Sequence, residues 1–522
     1  MTIINSRSVL STSVVLLASI PLVFVLYQSG HLQWSQWTGL WSARLPGLLW
    51  NTLSLSVLVA IGSFALGVSS AWLITRREFI GRRLAVWLMI LPLTIPTYVF
   101  AHIYTTLTDR DGWLGQLWLW LAGPNVPNPE LYNVFGAAFI LSLAGFSYVF
   151  LLVSDALTRS RHDIEDAARL HGLNSRQVFW RVSLPMLRPA IAAGLALVVL
   201  HVLSDFGAVS MLRYQTFTLS IYLQMSGRFD MQAAAGLSLV LVVLSLTFLI
   251  LERFFRDRQR YYSSRQAQQL QRRPASPMEQ VLIWLWLGGI TLFAFGLPVA
   301  WMLHWSFEAW QQSLIDEQFW GYVKNSLVVS IAAASLATVA ALPVALFHAR
   351  LRNKVSQSYI HLSSVGFVLP GPVIALGILS FALSWLPWIY GTLVVLLLAM
   401  LIRFLPLAVQ AQEAAVQQVS PSIEEAGRSL GATPWQNLTR VLIPMLRTGL
   451  VSAWVLVFID TLKELPATLL LRPTGFDTLP VRIWIEASEE MLELAAPSAL
   501  MLMLGTLPVL WFLLRQHDAA AK

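Results

Sequence analysis

Apolar stretches of about 20 residues, the length of helix that crosses about 30 Å of hydrocarbon, recur along the whole chain. They fall near 8–29, 51–74, 84–107, 133–156, 189–212, 231–251, 279–304, 325–347, 359–384, 387–411, 448–471 and 494–514. The pattern therefore predicts twelve membrane-spanning helices. The first stretch follows Arg7 and could pass for a secretory leader. It is longer than an ordinary leader core, and no small-x-small cleavage site follows before Gly30–Trp34, so it reads as a retained helix.

The polar segments between the spans set the orientation, because Lys and Arg near helix ends resist translocation. With the N-terminus inside, Arg76, Arg77, Arg82 and Arg83 fall on the cytoplasmic side. So do Arg159, Arg161, Arg169, Arg176, Arg181 and Arg188, the run from Arg253 to Arg273, the cluster Arg350, Arg352 and Lys354, and Arg428, Arg440 and Arg447. Both termini are then expected in the cytoplasm. A composition of 56% hydrophobic and 12% charged residues lies far from the soluble average. The net charge of +8 is spread over the inner segments rather than gathered on one element, which argues for positive-inside topology and against nucleic acid. A cysteine count of zero excludes thiolate metal sites and disulfides.

The spans repeat. Asn51-Thr-Leu-Ser-Leu-Ser56 returns 274 residues later as Asn325-Ser-Leu-Val-Val-Ser330, and the same shift pairs Arg76 with Arg350 and Ile95-Pro96 with Leu369-Pro370. Further on, Asp166-Ala-Ala-Arg-Leu-His-Gly172 matches Glu425-Ala-Gly-Arg-Ser-Leu-Gly431 at a shift of 259, and Arg181–Arg188 matches Arg440–Arg447 without a gap. The change of shift places an insertion in the first half, in the outer loop around 108–133. The fold class is thus all-α, a polytopic membrane protein with about twelve transmembrane helices in two parallel-repeat halves of six. The first half covers 1–252 with a long inner loop at 157–188. A basic linker follows at 253–278, and the second half covers 279–522 with its inner loop at 412–447.

In each half the repeat is clearest in that inner loop, which is unexpected of a mere connection. Glu165–Leu170 reads as a short helix, Gly172 as a tight turn, and 175–182 as a second helix ending near Pro185. Glu425–Leu430, Gly431 and 434–442, ending before Pro444, read the same way. Small residues at 167, 168, 426 and 427 leave room for a partner surface. The loop resembles the E-A-A-x3-G-x9-I-x-L-P motif of binding-protein-dependent importer permeases. Asp166, Ala167, Ala168, Gly172, Val182, Leu184 and Pro185 carry it in the first half, and Glu425, Ala426, Gly431, Val441 and Pro444 in the second. Asp166 keeps the charge of the motif's glutamate, whereas Gly427 in place of alanine is expected to loosen the helix. The resemblance implies that each loop docks on one of two ATP-binding subunits and that one copy of the chain serves per transporter. No Gly-Lys-Ser/Thr phosphate loop occurs, so ATP hydrolysis belongs to another chain and this one is not an enzyme.

Beyond the loops, the chain resembles the ferric-iron branch of these permeases. The resemblance rests on Leu91-Pro-Leu-Thr-Ile-Pro-Thr-Tyr-Val, Ser204-Asp-Phe-Gly-Ala-Val, and the run from Asp460-Thr-Leu-Lys-Glu-Leu-Pro through Arg472-Pro473 to Phe476-Asp-Thr-Leu. It implies a bacterial inner-membrane location and a periplasmic substrate-binding protein at the outer face. Importers of thiamine, polyamine or phosphonate remain open, as does an ion-driven secondary transporter with twelve helices. Asp205 and Glu464 lie within the fifth and eleventh spans and are equivalent by the 259 shift. Acidic groups at membrane depth face a bundle interior or an aqueous path, so both are candidates for the translocation pathway or gate. The alternative is local pairing, Glu464 with Lys463 or Asp205 with a polar neighbour. His102, His201, His304 and His361 lack metal-ligand spacing and are assigned to packing or interfacial roles. No resident metal, cofactor or catalytic group is expected. Tryptophans such as Trp34, Trp113 and Trp301 fall near outer span ends, at headgroup depth in the surrounding lipid.

Overall fold

The computed structural model describes residues 2–159, 162–257, 272–351 and 353–520, which are helical over most of their length. Much of the basic linker, Arg161, Arg352 and the side chains of Asp166, Arg159 and Arg176 lie outside the described residues. Among the described residues, eight helices are long and apolar enough to cross a membrane. Two further pairs of helices are bent at a short break, and two shorter apolar helices cover Gly371–Trp385 and Leu492–Pro508. Together they fall on the twelve expected positions.

Four of those positions were read as unbroken spans and are interrupted. The third span runs as Arg82–Ile90 and a tight turn at Leu91–Thr94, breaks at Ile95-Pro96, and resumes as Thr97–Thr108; Arg82–Thr94 and the stretch Thr97–Ala122 meet at a bend of 95°. The ninth breaks at the equivalent Leu369-Pro370, between Val365–Val368 and Gly371–Trp385. Proline has no N–H to donate and drives its preceding residue into extended backbone, as Ile95 and Leu369 both are. The fifth span stops at Ser204 and restarts at Gly207, and the eleventh stops at Leu462 and restarts at Pro466. The helix Trp113–Ala122 occupies the loop where the change of shift placed the insertion. Asn128 pins that loop by donating to the Thr108 carbonyl at 3.0 Å.

The packing divides the chain into two compact units that are not the two sequence halves. One unit comprises Arg44–Leu219 with Val243–His304, and the other Met1–Ala43, Ser220–Val242 and Trp305–Lys522. In the latter, the first span packs on helices of the second half. Gly377 admits it so closely that a β-carbon there would lie 2.4 Å from the Cα of Pro21, and Thr12 and Tyr359 share a hydrogen bond of 2.8 Å. In the former, the seventh span lies on helices of the first half: Trp284 donates to the Ile80 carbonyl at 2.9 Å and Trp286 to the Ser69 hydroxyl at 3.0 Å. This placement is fixed as the chain leaves the linker, where Arg273–Pro274 pairs in parallel with Arg77–Glu78 and a Ser276–Glu279 capping box starts the span.

Candidate functional site

Each inner loop begins with a nine-residue helix, His162–Leu170 in the first half and Pro421–Ser429 in the second. The second is capped at its start by the Ser420 hydroxyl, with Pro421 in the first turn. Both end in the same way. Gly172 and Gly431 adopt φ of +85° and +87°, their N–H groups bond to the carbonyls of Arg169 and Arg428, and the next residues reach back to Ala168 and Gly427. This is a Schellman motif, whose left-handed residue favours glycine, and the tight turns expected at Gly172 and Gly431 are in place.

The second helix of the first loop ends at Met186, beside Pro185 as expected, whereas that of the second loop does not end before Pro444. In both, the backbone widens by one residue just before the proline: the Leu184 N–H bonds to the Phe179 carbonyl, and Ile443 to Leu438. A π-turn of this kind absorbs the donor that proline lacks and the room its ring needs. In the second half the helix continues into the following span, and in the first a new helix starts at Arg188. In the first half the chain bends by 63° beside Pro189, whereas Thr448 at the equivalent position leaves Pro434–Leu462 unbroken.

On these short helices Ala167, Glu425 and Ala426 face solvent, and Leu170 and Leu430 are each 89% exposed. The acids one position earlier are buried. Glu165 accepts from Arg76 at 2.6 Å and from the Ser183 hydroxyl at 2.9 Å. Glu424 accepts from Arg350 at 2.7 Å, with Arg428 3.6 Å away. The pairs correspond under the two repeat shifts, so the sequence carried the signal, yet the motif drew attention to Asp166 and Glu425 instead. Nor does Gly427 loosen its helix. A β-carbon there would meet Asn437 Oδ1 at 2.6 Å, and Asn437 is buried with its amide donating to the Glu424 carbonyl at 3.1 Å. In the first half the corresponding pair is Ala168 and the buried Val178.

The breaks in the fifth and eleventh spans are held by Asp205 and Glu464. Each restarting helix exposes N–H groups that lack partners within it, and inside a membrane these must be satisfied by protein. Asp205 Oδ1 accepts from Ala208 and Val209 at 3.0 and 3.3 Å, and the two Glu464 oxygens accept from Ala467 and Thr468 at 3.1 Å each. Both carboxylates also have a partner across the bundle. Thr97 donates to Asp205 Oδ2, whereas Arg403 approaches Glu464 to 3.6 Å. Thr97 corresponds to Gly371, where a β-carbon would lie 2.8 Å from the Arg403 guanidinium. The glycine thus makes room for an arginine that has Ala144 as its counterpart in the first half. Lys463 pairs with Asp460 at 3.7 Å rather than with Glu464. Arg403 was not singled out in the sequence, although an arginine inside an apolar span is itself a signal.

Beyond the breaks, Asn51 and Asn325 reach the returning chain, donating to the carbonyls of Gln215 and Asp477 at 3.0 and 2.9 Å. The same loop in the second half holds Asp477 between Arg472 and Arg482, and Arg482 also bonds Glu486 at 2.7 Å. Burial pushes the Glu486 carboxyl above the ordinary carboxylate range, against the opposing effect of Arg482. His102 is buried edge-on to Trp301, with ring centres 5.4 Å apart. Among the described residues no three His, Cys, Asp or Glu side chains gather closely enough to hold a metal ion.

The family model described as "Binding-protein-dependent transport system inner membrane component" matches residues 63–261 and 336–518, two segments that begin almost one repeat apart. The chain is similar to the Fe(3+)-transport system permease protein FbpB 2 of Haemophilus influenzae, with 30% identity covering 92% of this chain and 91% of that one. It is also similar to the ferric transport system permease protein FbpB of Actinobacillus pleuropneumoniae, at 25% identity over 81% of this chain and 64% of that protein. The sulfate transport system permease protein CysT of Escherichia coli is 29% identical over 45% of this chain and 84% of its own length.

Proposed function

The chain belongs to the family of binding-protein-dependent transport system inner membrane components, and on that premise we propose that it is the two-half permease of an ATP-driven importer of ferric iron. The observation that carries this reading is the pair of equivalent inner loops, each presenting an exposed small-residue face on a helix anchored from behind by a buried acid. Ferric iron as the substrate rests on similarity over nearly the full length to a protein named for Fe(3+) transport.

In this reading both termini and both loops face the cytoplasm. Asp166, Ala167, Ala168, Gly172 and Pro185 in one loop, and Glu425, Ala426, Gly431 and Pro444 in the other, form the docking surfaces for two separate ATP-hydrolysing subunits. A periplasmic binding protein delivers iron to the outer face. Asp205 and Glu464 hold the broken spans at the gate of the pathway. Broken helices whose loose ends are tied by side chains are the usual construction where a transporter opens to water. The gate is not electrically symmetrical, since among the described residues Arg403 compensates Glu464 while the Thr97 hydroxyl is the side chain bonded to Asp205.

The test is uptake into proteoliposomes containing the permease with its ATPase, supplied with iron-loaded binding protein. Iron should enter only with ATP and should continue to enter when ion gradients are collapsed. Uptake that needs a gradient and ignores ATP would establish a secondary transporter, and uptake of sulfate in place of iron would reassign the substrate.

A further inference from the structure

The coupling helices, His162–Leu170 and Pro421–Ser429, are joined by covalent chain to the fourth and fifth spans in the first half, and to the tenth and eleventh in the second. A displacement of either helix reaches those spans directly. No such connection runs to the second span, Leu45–Arg76, or to the eighth, Glu317–Leu351. Yet each of these carries in its last turn an arginine, Arg76 or Arg350, that enters the back of the coupling helix of its own half.

We propose that the pairs Arg76–Glu165 and Arg350–Glu424, each built on a buried acid, are positioning residues that deliver the movement of each coupling helix to the second and eighth spans. The inference rests on the reading of the loops as ATPase docking sites and adds the route the movement takes. Three observations carry it. The pairs are short, at 2.6 and 2.7 Å, with side-chain exposures of 8% and 5% in the first and 15% and 5% in the second. They occupy equivalent places under two independent repeat shifts, 274 for the arginines and 259 for the acids. Each acid also engages the π-turn that leads into the following span, Glu165 through the Ser183 hydroxyl and Glu424 through its carbonyl and the Asn437 amide. One glutamate per half therefore ties together the docking helix, the start of the fifth or eleventh span, and the end of the second or eighth: Glu165 by its carboxylate alone, Glu424 by its carboxylate and its backbone carbonyl.

The chemistry suits a link that must pull as well as push. Apolar side chains in contact resist compression but separate with little directional preference. A desolvated charge pair cannot be drawn apart without leaving both charges in a medium that solvates them poorly. Buried ion pairs add little net stability compared with apolar packing, so their recurrence at both loops is better explained by the geometry they enforce. Arg76 is further fixed by Trp72, over whose ring it lies 5.4 Å from the centre, and Trp72 meets Phe179 of the π-turn edge-on at 4.8 Å. Arg350 is fixed by a second bond, to the Val419 carbonyl at 3.0 Å.

The experiment uses the assembled transporter with its ATPase subunits and iron-loaded binding protein, and reads ATP hydrolysed per iron imported. Wild type is measured first, and a wild-type complex without ATP-driven uptake counts against the docking reading rather than against the link. The double variant Glu165→Gln, Glu424→Gln keeps the shape of both side chains and removes their charge. It should still bind the ATPase and hydrolyse ATP at the basal rate, while uptake and stimulation by loaded binding protein fall at least tenfold. Exchanging the partners, as Arg350→Glu with Glu424→Arg beside wild-type Arg76–Glu165, should recover more uptake than either single change in that half. Normal uptake per ATP in the glutamine variant overturns the proposal. So does loss of the ATPase from the purified complex with no recovery in the exchanged variant, which would assign the pairs to folding alone.

Discussion

At position 427 a glycine stands where the other coupling helix has alanine, because Asn437 fills the space that a methyl group would take. The two halves solve one packing problem with different pairs, Ala168 with Val178 and Gly427 with Asn437. Gly427→Ala should therefore cost roughly 1–3 kcal/mol through overpacking, seen as a lower melting temperature of the purified permease. Adding Asn437→Val, which copies the first half, should restore most of it, and a double variant no better than the single would refute the explanation. The sequence displayed Gly427 as a departure but not its cause, since the compensating residue lies ten positions away and looks unremarkable by itself. Arg403 was equally hidden, although Gly371, Pro466 and Glu464 form its surroundings. Arg403→Met leaves a buried carboxylate without its cation and should destabilise the fold by roughly 3–5 kcal/mol. Glu464→Gln in the same chain should recover part of that loss, as measured by thermal unfolding in detergent.

Helices of the right length in the right places were legible from hydropathy, because an apolar run of about 20 residues has few other uses. Their interruptions were not. A hydropathy window averages over Ile95-Pro96 and Leu369-Pro370 and passes over Asp205 and Glu464, although a proline and a capping acid are the local signals of a break. The coupling turns were legible, since glycine at equivalent places in both repeats points to a left-handed residue. A β-carbon at Gly172 or Gly431 meets nothing within 4 Å, so replacement strains the backbone without a clash. Gly431→Val should cost roughly 1–2 kcal/mol and weaken retention of the ATPase on the purified permease while leaving membrane insertion intact. Gly431→Asn, which tolerates positive φ better, should be milder. Equal binding by the valine variant would show that the turn does not shape the docking surface.

For the molecule as a whole, the internal repeat gave the two halves and their common orientation, but not how the spans share partners. The first span is apolar around most of its circumference and carries no mark of which bundle it joins. Its close seat against Gly377 becomes visible only in three dimensions. The exchange makes each compact unit depend on segments from both sequence halves, so separately expressed halves should recover uptake only when produced together. The central claim is that one chain supplies both docking loops and needs no second copy. The mass of the intact complex purified with its ATPase tests this most directly. The account predicts one 58.3 kDa chain bound to two ATPase subunits; two copies of this chain in each complex, or a single ATPase subunit, would contradict it.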